Sequence, residues 1–243
     1  MNREKVVLTK VTRPRLQRIY QRTELYNLLD ELNMTPLIVV SGLPGSGKTT
    51  LLSGYIQSRN ISCLWYQVDR DDRDLATFLY YLGIAAFKVN SYKTALTKVS
   101  TERAYNVSTQ VKAYFHKLYQ CLQTPFMIVL DDYHELPADA LLHAVMAEAC
   151  AALPPGGRIV LINNSDGRTN LPDMNSHCTV ATLEGEDLQL SPAEVKDIAA
   201  LHGVGLSSDQ AVKQLQGKVG GWMAGLVKEL QREYPPISDA AKA

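Results

Sequence analysis

Several absences narrow what this chain can be. Its four cysteines, Cys63, Cys121, Cys150 and Cys178, lie far apart and form no C-x-x-C pair. Metal-ligand spacing is therefore missing, and buried free thiols in a reducing compartment are expected. Charge of one sign is not in excess: 25 basic residues stand against 25 acidic ones, so no basic field advertises nucleic-acid binding. No apolar run approaches the length that crosses a bilayer, and Met1-Asn2-Arg3-Glu4-Lys5 does not lead into the apolar core of a signal peptide. A cytoplasmic location is expected. Repeats and low-complexity stretches are absent. The remainder is ordinary for a globular chain, with 46% apolar and 21% charged residues over 243 positions. That suffices for one large domain or two modest ones.

Against this plain background, Gly42-Leu43-Pro44-Gly45-Ser46-Gly47-Lys48-Thr49 fits the phosphate-binding pattern G-x-x-x-x-G-K-[ST] without a substitution. Its flanks agree: Leu37-Ile38-Val39-Val40 is an apolar β-type run, and Thr50 to Ile56 continues as an amphipathic helix. The glycines let successive N–H groups turn inward onto phosphate oxygens with no Cβ in the way. The helix start adds unpaired donors and the positive end of its dipole. Gly42, Pro44, Gly45, Ser46, Gly47 and Thr50 thus shape the cradle. Lys48 is expected to reach the β- and γ-phosphates, and the Thr49 hydroxyl to complete a Mg²⁺ shell. Binding of a nucleoside triphosphate follows. The first 22 residues are locally basic, with Arg3, Lys5, Lys10, Arg13, Arg15, Arg18 and Arg22 opposed only by Glu4. A place near nucleotide phosphates suits them better than a role as a polyanion-binding arm.

The order of elements predicts an α/β fold. Thr23 is placed to cap a helix with Leu25, Leu28, Leu29 and Leu32 on its apolar face. A second strand, Ser62 to Val68, ends in Asp69-Arg70-Asp71-Asp72-Arg73-Asp74. Alternating signs there favour a solvated loop and helix start over a metal site. Helices follow at Leu75 to Ala86 and over 102–122, the second with Val111, Tyr114, Phe115 and Leu118 as its core face, separated by a polar loop over 88–101. Phe126 to Leu130 and Arg158 to Ile162 are continuous apolar runs, the mark of strands covered on both faces. A helix over 137–152 separates them, and Cys178 to Leu183 reads as a last short strand. The prediction is a P-loop NTPase parallel sheet flanked by helices over 1–185, its residues 1–34 forming an arm and helix on the adenine side. Beyond it, Ser191-Pro192-Ala193-Glu194 is a capping box, and helices near 191–202, 207–218 and 221–233 predict a small all-helical subdomain over 186–243.

The second half of a P-loop site needs a carboxylate at the end of an adjacent parallel strand to hold Mg²⁺. Asp131 is in that position. Asp132 would orient or deprotonate the attacking water, or else cap the turn that follows. His134, beside two carboxylates, is expected to be a hydrogen-bond partner. Asn163 and Asn164, at the end of the next strand, would either donate to the γ-phosphate or close a turn.

Together the P-loop, the doubled aspartate in Val129-Leu130-Asp131-Asp132-Tyr133-His134 and the helical tail resemble the signal-transduction ATPases with numerous domains. Among these, the chain is similar to the large ATP-binding LuxR-type regulators of the maltose-activator kind. The similarity extends through Leu8-Thr9-Lys10, Arg13-Pro14-Arg15-Leu16, Tyr20 to Leu25, Leu64 to Asp69 and Gly221-Trp222-Met223-Ala224-Gly225-Leu226. It implies a transcription-regulating switch: ADP-bound at rest, ATP-bound and self-associated when an inducer is sensed, reset by slow hydrolysis. Arg22 would then lie beside the nucleotide, and DNA would be met only by segments beyond this chain, which stops near Pro235-Pro236-Ile237. Departures are Gln21 for glycine, Asn163-Asn164-Ser165 where arginine is common, and Met223 where many relatives have an adenine-touching proline. A small-molecule kinase, with a lid over 167–177 that has only Arg168, and a non-hydrolysing interaction module are the rival expectations.

Overall fold

A computed structural model describes residues 9–16, 19–90, 107–164, 178–206 and 208–233. Arg3, Lys5, Arg18, Ser165 and the 167–177 stretch lie outside them. Five parallel strands form one sheet: β1 (Leu37–Ser41), β2 (Ser62–Gln67), β3 (Phe126–Asp131), β4 (Gly157–Asn163) and β5 (Val180–Leu183), in the order β2-β3-β4-β1-β5. The three central strands are buried along their whole length, so their uninterrupted apolar runs have a cause: both faces are covered.

Strand alternation divides the core in two. Ile38, Val40, Met127, Val129, Val160 and Ile162 face helices α1 (Thr23–Glu31) and α2 (Lys48–Ser58). Leu37, Val39, Ile128, Leu130, Ile159 and Leu161 face α3 (Leu75–Asn90), α4 (Val107–Gln120) and α5 (Leu141–Ala151). Val111, Tyr114, Phe115 and Leu118 are in that second core, as their spacing predicts. Cys178 packs against the core that holds Cys150, far from it in sequence, and the four cysteines are free.

Three local expectations change. The strand next to β1 is β4, not β3, so the Asp131 strand is one place removed from the loop strand. The first turn of α2 bridges that gap from above. Thr23 is the first helical residue of α1 rather than its cap; Arg22 takes the cap position without a capping side chain. The charged run after β2 does start a short 3₁₀ turn (Arg70–Arg73) with an Asp69–Asp72 capping box, but Asp72 is wholly buried. It accepts from the Tyr66 hydroxyl and the Asp69 amide and pairs with Lys10 at 3.0 Å. The reason is tertiary: the N-terminal strap brings a cation that the local sequence does not show.

After β5 come α6 (Pro192–Leu201), α7 (Asp209–Val219) and α8 (Met223–Glu233), sharing a separate core of Leu190, Val195, Ile198, Leu215, Leu226 and Leu230. The Ser191–Glu194 capping box and Pro192 open α6 as predicted. No helix among the described residues is long and apolar enough to cross a membrane.

Candidate nucleotide site

The loop from Gly42 to Gly47 joins β1 to α2. Gly45 and Gly47 sit at φ +84° and +92°, a region that side chains with a Cβ avoid. At Gly45 a Cβ would lie 2.7 Å from that of Ala224. Pro44 is in the exposed turn, Ser46 is fully buried, and Thr50 is half-buried in α2. The Lys48 ammonium, almost entirely buried, donates to the Gly42 and Leu43 carbonyls at 2.7 and 2.9 Å and to Ser46 Oγ at 3.4 Å. Burial lowers its pKa, and the charges of Asp131 and Asp132 work against that shift.

Thr49 Oγ1 donates to both Asp131 oxygens, at 3.3 and 3.2 Å. Two residues 82 positions apart are thus brought into contact. Asp132 stands at φ +57°, an uncommon conformation for a non-glycine residue, found where a site constrains the backbone. Its carboxylate does not cap the following turn; it accepts from Gln67 Nε2 at 3.1 Å. His134 is a hydrogen-bond partner, of Asn164 Nδ2 at 3.2 Å. Asn163 is buried, its Oδ1 has no partner among the described residues, and its carbonyl accepts from the Gly42 amide. Ser41, its register neighbour, likewise has a hydroxyl without a partner among the described residues. Orphaned polar atoms at the mouth of a glycine cradle suit a polar ligand.

Arg22 is not free to face this loop. Its guanidinium holds Glu194 at 2.7 Å and the Leu188 and Gln189 carbonyls at 2.9 Å each. The helical unit itself closes on the loop, with the Ala224 amide donating to the Gly45 carbonyl at 2.9 Å and the Met223 side chain 3.5 Å from a Cβ built on Gly47. Sequence reasoning missed Gln67; its one signal is a polar residue ending the strand beside β3.

The residues fit a magnesium–nucleotide. Among the described residues no three His, Cys, Asp or Glu side chains converge on a metal position. One hydroxyl and one carboxylate match a cation that takes its other ligands from phosphate and water. Burial, with the Asp132 charge, pushes the Asp131 carboxyl up to about 6, against the Thr49 hydroxyl, the Asp132 amide and Lys48. A raised folded pKa means that the ionised carboxylate costs stability above that pH, and that the cost fades as pH falls toward 4. Asp131→Asn should therefore raise the melting temperature at pH 7.5 without nucleotide, by at most about 3 kcal/mol of stability, with the gain shrinking to about a third of that at pH 4.5. A lower melting temperature at pH 7.5 would contradict the burial argument.

Among relatives, the HTH-type transcriptional regulator MalT of Klebsiella pneumoniae is 22% identical over 225 residues, 91% of this chain. The chain spans about a quarter of that relative's length, 24%, and the match agrees with the resemblance drawn from the motifs. Among solved structures, AMPPCP-bound DnaA from Aquifex aeolicus superposes with a TM-score of 0.51 at 12% identity, covering 89% of this chain and 62% of that one. The Aeropyrum pernix Orc1 protein in complex with DNA gives 0.50 at 16%, with the same coverage. Both share the P-loop fold. With residues 16–162, more than half of its length, matched to the family described as nephrocystin 3, N-terminal, the chain belongs to that family.

Proposed function

We infer that this chain is a magnesium-dependent ATP-binding module that hydrolyses slowly and acts as an ATP/ADP switch in a cytoplasmic transcriptional regulator. One observation carries the reading: the hydroxyl that ends the glycine loop and the carboxylate that ends β3 meet at 3.2 Å, beside a buried ammonium. In a P-loop ATPase these three groups hold the metal and the phosphates. The amides from Gly45 to Thr50 bind phosphate oxygens, and Lys48 trades its carbonyl partners for the β- and γ-phosphates. Thr49 and Asp131 hold the metal, which when bound neutralises charge on the transferring phosphoryl group. Asp132, kept in place by Gln67, accepts a proton from the attacking water. Asn163 turns its amide toward the terminal phosphate.

Residues 1–185 carry the nucleotide in this reading, and 186–243 form the unit that responds to it. Arg22 acts through that unit, by fastening it to the adenine-side arm. Self-association in the ATP state, and DNA contact through other parts of a longer protein, complete the proposal. The test is phosphate release with and without Asp132→Asn. The variant should bind ATP within about threefold of the parent yet release phosphate at least about 50-fold more slowly. A parent that binds ATP but releases no phosphate over hours would instead be a non-hydrolysing module.

A further inference from the structure

The N-terminal strap, residues 9–16, has no part in the site described so far, yet it is firmly anchored. Lys10 pairs with Asp69 and Asp72 at 2.6 and 3.0 Å and lies over the Tyr66 and Tyr81 rings. Val11 is buried in the main core, Thr12 Oγ1 accepts from Lys88, and the Pro14 carbonyl accepts from Ser53 Oγ of α2 at 2.9 Å. Fixed on both sides, the strap carries Arg13 and Arg15 to a cavity of about 580 Å³ that Thr49, Gln67, Asp131 and Asp132 also line. Neither arginine makes a hydrogen bond or ion pair with a described residue, whereas Arg22 and Arg59 are fully engaged. Both also border a neighbouring space of about 400 Å³, where the Arg13 charge acts on Cys63; no described carboxylate lines it.

Two arginines without a hydrogen bond or ion pair to a described residue and two aspartates therefore line one cavity, beside Thr49 at the end of the glycine loop. With the backbone anchored, only side-chain rotamer freedom is lost when the two unengaged arginine heads take up an anion. The carboxylates would repel a phosphate that arrived without cations. We propose that Arg13 and Arg15 grip the terminal phosphate of a nucleoside triphosphate from within the same chain, so that the strap distinguishes ATP from ADP. This rests on the site reading above. An ADP molecule, ending one phosphate earlier, leaves the arginines without their ligand.

The experiment is calorimetric titration of the 243-residue chain with Mg–AMPPCP and with Mg–ADP. Arg13→Ala/Arg15→Ala should weaken AMPPCP binding at least about 30-fold, as expected for two charge-assisted contacts, while ADP binding stays within about threefold. Equal losses for both nucleotides, or no loss for either, would overturn the proposal. Should the double variant fail to fold, Arg15→Glu at its exposed position carries the test, with about a tenfold loss expected for AMPPCP alone. Lys48→Ala run alongside separates the two levels. If it abolishes binding of both nucleotides while the arginine variants change nothing, only the strap proposal falls. If the parent chain binds neither nucleotide, the site reading falls and the strap proposal with it.

Discussion

Lys48→Ala should lower affinity for ATP and for ADP at least about 100-fold, with little change in melting temperature. The ammonium is 5% exposed and bonded to the Gly42 and Leu43 carbonyls and to Ser46, so the charge is held at the loop before any ligand arrives. Two charge-assisted bonds to phosphate contribute about 3 kcal/mol together, which is about a hundredfold in affinity. Burial lowers the Lys48 pKa, so the protein carries the ammonium at some cost, and the carbonyls it leaves lie in a loop whose Leu43 is exposed. Equilibrium binding of a fluorescent ATP analogue, beside a thermal melt, checks both halves. Retained affinity would remove the loop from the mechanism.

A large loss of stability is expected from Arg22→Ala. This guanidinium is 6% exposed and serves Glu194 and two carbonyls of the segment between β5 and α6. Its removal leaves a largely buried carboxylate and two acceptors without their cation, which costs about 3–5 kcal/mol and lowers the melting point by roughly 10 °C. Burial on its own would raise the Glu194 pKa. The Arg22 hydrogen bond, the Ser191 backbone and the Arg22 charge outweigh it and hold the pKa below the ordinary carboxylate value. A depressed folded pKa means that this stabilisation is present above the ordinary value and is lost as pH falls through the folded one. The Arg22→Ala deficit should therefore be full at pH 7 and shrink in acid. Glu194→Gln added to Arg22→Ala should recover part of it, the coupling that a double-mutant cycle measures. A melt within 2 °C of the parent, relative to the roughly 10 °C expected, would mean that the guanidinium is available to the nucleotide after all.

The parts of the site legible in the sequence are those set by local chemistry. Gly45, Gly47, Lys48 and Thr49 work through the geometry of one loop, and Asp131 through its place at the end of an uninterrupted apolar strand. Ser191 and Glu194 close a helix start within four positions. What escaped notice was long-range. The Asp69–Asp74 run has the composition of a solvated turn, and nothing within it shows that Asp72 meets Lys10, 62 positions earlier (72 less 10). Gln67 is an ordinary strand end until β3 brings Asp132 beside it. Arg22 was tied to the nucleotide by resemblance, but its partners 172 positions away hold it to the helical unit.

By itself the sequence determined the parallel sheet, its two-sided burial and the glycine loop with its lysine, because side-chain period and backbone freedom act over a few residues. Only the tertiary structure decided that β4 separates the two motif strands, that α8 rests on the loop, and that two arginines of the strap line one cavity with the two aspartates. Those outcomes depend on which distant surfaces bury each other, and burial is a property of the packed chain rather than of any segment within it.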